Sequence, residues 1–276
     1  VYFAHAALSD LHSRRFYYDE RMARAAVGLS GARASNGTVT VFVGPWSIGL
    51  GPRTHRLKAR TKDFSLLLTC VPLKAPVAHG VGGYSIKGKG PESASCYYSF
   101  TRLDTSGTLT LGGKGTSVQG TAWMDHEFSS APLEPDLMGW DWFSIQFSNR
   151  TELMIYQLRN RNGGFSPSSS GTFVGPRGRS LAFTQKDFRI RVMERWKSPV
   201  TGAVYPARWR IRVVPQSLDL HVRSVLGNQE LVTRKSTQVT YWEGSVSVTG
   251  TAGGKPVDGL GYAELTGYAG AMRLSR

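Results

Sequence analysis

The chain is 276 residues long, with 34 Lys+Arg against 19 Asp+Glu and a formal net charge of +15. That length suits two domains or one large one with a buried core. A hydrophobic content of 40%, with 7 Trp, 11 Tyr and 12 Phe, excludes a disordered chain, and no apolar run reaches the ~18–20 residues of a membrane helix.

Along the chain, Asp19–Val27 has some helical character. Val39–Val43, Phe64–Val71, Thr108–Leu111, Trp142–Phe147, Leu153–Leu158, Phe188–Val192, Trp209–Val214 and Ser245–Val248 then read as strands separated by Gly- and Pro-bearing turns. This spacing predicts an all-β fold, a sandwich or barrel. In Arg189–Val192 and Arg208–Val213 arginines alternate with apolar residues, the period of a strand with one wet face. The positive charge is spread evenly, since residues 1–132 carry 15 Lys+Arg against 8 Asp+Glu and residues 133–276 carry 19 against 11. With no basic arm or tail, the pattern argues against nucleic-acid binding and suits an anionic membrane surface better.

Internal similarity predicts a duplication. Gly107–Gly113 resembles Gly244–Gly250, and Val118–Asp125 resembles Val257–Glu264, each of the latter pair carrying aromatic-x-acid after Val-x-Gly. Two similar β domains are therefore expected, 1–133 and 134–276, with Ser129–Pro135 as the linker. The second unit opens at Gly139–Ile145, and Glu152–Leu158 matches Val1–Leu8 in order. The first unit is therefore expected to lack its opening strand, as in a truncated or processed chain.

Several strings carry a wider likeness: Trp123-Met-Asp-His-Glu-Phe128, Gly139-Trp-Asp-Trp-Phe143, Tyr97-Tyr-Ser99, Trp196–Gly202 with Tyr205-Pro206, Tyr241-Trp-Glu-Gly244 and Gly261–Tyr268. Together they resemble the AttH-type predicted secreted hydrolases, relatives of carotenoid 1,2-hydratase, in the right order over essentially the whole chain. The resemblance implies a pair of tandem lipocalin-like antiparallel β-barrels. It also implies an exported protein (periplasmic, secreted or a lipoprotein) whose leader lies outside this sequence, and an ABC-type export system as a partner.

Asp125 is the first candidate for catalysis. It shares a strand face with Trp123 and Glu127, and a carboxyl desolvated beside indole rings stays protonated near neutrality. Such an acid can protonate an alkene, with aromatic faces stabilising the cation and water completing a hydration. The hydratases that the chain resembles carry aromatic-x-Asp-His there, with Tyr where this chain has Trp123. An alternative role for Asp125 is structural, bridging strands. Glu243, between Trp242 and Gly244, is a second candidate acid. His126, the third, points to the opposite face from Asp125 in a regular strand. Trp123, Tyr98, Trp140, Trp142, Tyr241 and Trp242 are candidate walls of an apolar ligand site, or else core.

No His-x-His, HExxH, Cys-x-x-Cys or Gly-x-Ser-x-Gly string occurs, so neither a metal, a cofactor nor a serine nucleophile is expected. Cys70 and Cys96 are compatible with a disulfide or with two buried free thiols. The expected function is binding of an apolar, isoprenoid- or lipid-like ligand, either by a hydratase- or hydrolase-type enzyme with Asp125 as acid or by a noncatalytic carrier serving an exporter.

Overall fold

The computed structural model describes residues 1–90, 92–130 and 133–270. The first half of the chain forms β1 (Tyr2–Asp10), β2 (Arg15–Ala23), β3 (Ser30–Ser35), β4 (Thr38–Val43), β5 (Trp46–Leu50), β6 (His55–Arg60), β7 (Phe64–Pro72), β8 (Val77–Ala78), β9 (Tyr84–Ile86), β10 (Ala94–Leu111) and β11 (Lys114–Phe128). The second forms β12 (Leu137–Phe147), β13 (Glu152–Asn160), β14 (Ser170–Val174), β15 (Ser180–Thr184), β16 (Phe188–Lys197), β17 (Val204–Val213), β18 (Leu218–Ser224), β19 (Glu230–Val232), β20 (Thr240–Ala252) and β21 (Lys255–Leu265). The expected strands fall inside these, except that Trp209–Val214 overruns β17 by one residue, Val214 opening a 3-10 turn, and the protein is all-β with curled antiparallel sheets of lipocalin type.

Only the helical expectation fails. Asp19–Val27 begins inside β2, which pairs with β1 along all nine residues, from Tyr2 opposite Ala23 to Asp10 opposite Arg15. A nine-residue helix is marginal alone, whereas this hairpin satisfies the same backbone groups across a ladder.

Hydrogen bonding divides the strands into a two-stranded sheet, β1-β2, and two large ones. The first large sheet runs β11-β10-β7-β6-β5-β4-β3, with β8 and β9 also on β10. The second runs β15-β14-β13-β12-β21-β20-β18-β17-β16, with β19 on β20. The sheets change between β11 and β12, on either side of the expected linker, whose Ala131 and Pro132 lie outside the described residues. In the second sheet β12 joins β21 to β13. Among the described residues no strand takes that place beside β11.

By compactness the chain forms two units cut differently. One comprises Val1–Lys74, Arg102–Trp123 and Thr233–Gln238, the other Ala75–Thr101, Met124–Val232 and the described residues from Val239 on.

The two long hairpins turn at Gly112–Gly113 and Gly253–Gly254, all four with positive φ (56°, 81°, 56° and 77°). That is the backbone of a two-residue turn whose twist matches its strands. It corrects one half of the repeat. Gly107–Gly113 contains its turn, whereas Gly244–Gly250 lies wholly within β20 and ends short of the turn. Val118–Asp125 and Val257–Glu264 both lie on the return strands, β11 and β21.

Alternation decides which face is core. In β17, Trp209, Ile211 and Val213 are fully buried, while Arg208, Arg210 and Arg212 point the other way. The inside of the second sheet is filled by these three with Phe143, Ile145 and Trp242, among others, each large side chain contributing roughly 1.5–3 kcal/mol by burial. The first sheet is more open. The face of β4 and β5 that buries Val43 and Trp46 also carries Val39 (44% exposed), Val41 (36%) and Ile48 (45%). Cys70 and Cys96 are both free thiols, Cys70 buried and Cys96 exposed. Cys70 lies on β7 opposite Thr105 and Cys96 on β10 opposite Tyr84, so the disulfide reading fails, and of the two thiols expected to be buried only Cys70 is.

Candidate active site

The second compact unit gathers acidic, aromatic and hydroxyl side chains onto one side of β12, β13, β20 and β21. In β12, Asp141, Phe143 and Ile145 are buried, Phe143 and Ile145 in the core cluster. The alternate residues Trp140, Trp142 and Gln146 therefore face the other way. The β12–β13 register puts Tyr156 opposite Trp142 and Glu152 opposite Gln146. Toward this side come residues of β8–β11. Trp142 Nε1 donates to Tyr97 Oη at 3.0 Å, and Gln146 Nε2 donates to the Thr101 carbonyl at 2.8 Å. Thr101 Oγ1 donates to the buried Glu152 at 3.4 Å.

The same alternation selects β10's contribution. Ser95, Tyr97, Ser99 and Thr101 are buried and turned to this side, whereas Tyr98 and Phe100 are not. Tyr97 Oη donates to Asp125 at 3.0 Å, and Ser99 Oγ donates to the same carboxylate oxygen. Ser95 Oγ donates to Glu127 at 2.5 Å, and Lys87 Nζ pairs with Glu127 at 2.9 Å while lying 3.8 Å from the centre of the Tyr156 ring.

Behind Ser99 sits His79, 1% exposed, with its Nε2 2.8 Å from Ser99 Oγ and its Nδ1 2.9 Å from Thr172 Oγ1. Because Ser99 spends its proton on Asp125, His79 must donate through Nε2 and accept from Thr172 through Nδ1; the network assigns the tautomer. Burial first, and the charge of Lys87 second, push the His79 pKa down to about 3, so its ring is neutral at ordinary pH. The result is a hydrogen-bonded chain, Thr172–His79–Ser99–Asp125, from interior to surface.

Two further carboxyls lie on the neighbouring strands. Antiparallel register sets Glu243 of β20 directly opposite Glu264 of β21, and Trp142 of β12 opposite Glu264 on its other side. Burial raises both carboxyls, Glu243 to about 7 and Glu264 to about 8, with repulsion from Glu243 the second cause at Glu264. Tyr241 and Trp140 side chains hydrogen-bond to Glu243 and Glu264 respectively, opposing the rise. Asp125 and Glu127 add smaller repulsion at Glu264. Tyr262, between these carboxylates, has its phenol raised well above the ordinary value by burial and by the charge of Glu243.

The structure sorts the expected residues. Glu243, Trp140, Trp142 and Tyr241 come together with Asp125's neighbours on one side of the unit. Asp125 itself is exposed, which corrects the expectation of a desolvated acid; the Tyr97 and Ser99 hydroxyls donate to one of its carboxylate oxygens. His126 and Tyr98 face away, with His126 Nδ1 and Tyr98 Oη 2.9 Å apart and the rings edge to face. Trp242 belongs to the core, 1% exposed, its Nε1 donating to the Gly227 carbonyl at 2.7 Å. Trp123 is half-buried on β11 and falls within the other compact unit.

Sequence reasoning missed Glu264, His79, Ser99 and Lys87 as candidates. Glu264 was within reach, because the aromatic-x-acid repeat already made it the counterpart of Asp125. His79 and Lys87 carry no local signal.

Fold and site define a class: a lipocalin-type all-β protein whose filled second sheet presents a carboxyl-and-aromatic face. The chain belongs to the AttH-like family, whose family model matches residues 1–268, as the aromatic strings implied. Among solved structures it is similar to an AttH protein of Nitrosomonas europaea, with 32% identity and a TM-score of 0.87 over 96% of this chain and 80% of that one. It is also similar to kievitone hydratase of Nectria haematococca, with 19% identity and a TM-score of 0.79 over 97% of this chain and 80% of that one; this likeness shows the fold. A search of curated proteins found no match.

Proposed function

We propose that this chain is a hydratase-type enzyme that adds water across a carbon–carbon double bond of an apolar, isoprenoid- or lipid-like substrate. The observation that carries the reading is the cross-strand pair Glu243–Glu264, held protonated near neutrality among Tyr241, Tyr262, Trp140 and Trp142. A buried neutral carboxyl is a proton donor matched to neutral pH. In this reading the pair's proton goes to one alkene carbon, and the cation at the other carbon rests against aromatic faces. A water then attacks that carbon and loses its proton to Asp125, which the Tyr97 and Ser99 hydroxyls orient. Solvent returns a proton to the glutamates and removes one from Asp125. Asp125 thus passes from the expected acid to the base. The hydratase named among the structural neighbours is in keeping with this chemistry but supports it only through the fold.

The test is incubation with a panel of isoprenoid alkenes in heavy-oxygen water, read by mass spectrometry. The reading expects heavy oxygen in an alcohol product, at least 100-fold less with Glu264→Gln, in line with the ~10²–10⁴ range of a general acid. A second reading, a noncatalytic carrier, is favoured by the exposed Val39, Val41 and Ile48 on the first sheet. Ligand retention in native mass spectrometry without turnover of any alkene would select it.

A further inference from the structure

The outer face of β16, β17 and β18 carries charge that the candidate site does not use. Register sets Arg189 opposite Arg212, Arg191 opposite Arg210, Arg210 opposite His221 and Arg208 opposite Arg223. Like charges directly opposite one another weaken a sheet. Two carboxylates lie among them. Asp219 takes Arg210 at 2.8 and 2.6 Å and Arg212 at 3.2 Å, and Glu194 takes Arg208 at 2.8 Å. Among the described residues Arg189, Arg191 and Arg223 have no ion pair, and all three are exposed. At the β16–β17 turn, next to the exposed Lys197, stand Val200 (67% exposed) and Val204 (42%).

We propose that this face is a docking surface for an anionic lipid membrane. The arginine grid meets headgroup phosphates, and the Val200–Val204 turn enters the interfacial zone. Charge complementarity sets the sign of the partner, since basic residues near an anionic leaflet are drawn to it. A lipid surface is favoured over a nucleic acid by the other side chains. Binders of single strands interleave stacking rings with their cations, but here Phe188, Tyr205 and Trp209 are buried. Exposed valines beside a lysine gain nothing from a phosphodiester chain and gain burial in a headgroup layer. The alternating arginines of the sequence thereby acquire a use.

The test is co-sedimentation of the full chain with vesicles, either phosphatidylcholine alone or phosphatidylcholine with one third phosphatidylglycerol. The expected result is binding to the anionic vesicles, weakened by salt and absent with the neutral ones. Replacing Arg189, Arg191 and Arg223 by Gln together should weaken binding roughly 100-fold, about fivefold per arginine. The same three changed to Lys should stay within a few-fold, which separates charge from fold. Val200→Ser with Val204→Ser, at the turn end of β17, should lower affinity further without altering the salt dependence. Equal binding to neutral vesicles, an unaffected triple Gln variant, or tighter binding to a single-stranded oligonucleotide than to the anionic vesicles would each overturn the proposal.

Discussion

Replacing Glu264 by Gln isolates the electrostatics of the candidate site. Glutamine keeps the shape and can still accept the Trp140 hydrogen bond, but it cannot ionise. In the folded chain Glu264 holds its proton to about 8 instead of 4.5, so between those values the native state binds more protons than the unfolded one. Stability associated with this group is therefore fully present below about pH 4.5 and is lost as pH rises through about 8. At about 1.4 kcal/mol per pKa unit, the loss has a ceiling of about 5 kcal/mol, and the residual solvent contact of the mostly buried side chain brings it to about 2–4 kcal/mol. The variant should match the wild type in urea unfolding at pH 5 and exceed it by about 2–4 kcal/mol at pH 9. Glu243, raised by burial and not by its partner's charge, should keep its midpoint at about 7 in the variant, which a carbon-13 carboxyl resonance would follow. Parallel stability profiles for the two proteins from pH 5 to pH 9 would refute the reasoning, because they would mean that Glu264 ionises freely in the fold.

Other consequences are as direct. His79→Leu should cost about 2–3 kcal/mol in thermal or urea unfolding, because it leaves the buried Thr172 hydroxyl without its acceptor and removes the donor to Ser99; in the wild type the ring resonances should not move between pH 5 and pH 8, and a titration there would contradict its assigned neutral state. Asp219, whose hydrogen bonds from Arg210 hold its carboxyl down to about 2, should titrate there by NMR and climb back toward the ordinary range in Arg210→Ala. An unchanged midpoint would show that the pair is not formed in solution. Gly254→Ala should destabilise by about 1 kcal/mol through backbone strain alone, since φ is +77° and nothing lies near the added Cβ; Gly254→Asn should cost less, and equal losses would argue against a left-handed turn.

How much of this was legible beforehand follows from what each signal measures. Alternation is local, so strands such as Phe64–Pro72 and Trp209–Val213 could be read directly, and so could the wet arginine face of β16–β17. The aromatic strings placed the chain in its family for the same reason, being contiguous. Helical character over Asp19–Val27 misleads because β1, the neighbouring arm of the same hairpin, competes for the same backbone groups. The repeat misleads before the turn because glycine spacing resembles itself in many β-hairpins, whereas the turns themselves align at Gly-Gly-Lys, 112–114 with 253–255.

Taken alone, the sequence determined the all-β class, the strand positions, the family and the acidic and aromatic residue types on which function must draw, because these depend on composition and on a period of two. Only the tertiary structure decided how they combine. Trp242 and Glu243 are neighbours in sequence, yet one entered the core and the other the site, since successive side chains leave a strand on opposite faces. Asp125 became an exposed acceptor because hydroxyls from β10 reach it, and Glu243 met Glu264 because β20 pairs with β21 in one register of several that the pattern allows. His79 joined Thr172 and Ser99 across long stretches of chain. A period states which way a side chain points; which partner waits there, and how far burial shifts its charge, is set by non-local pairing.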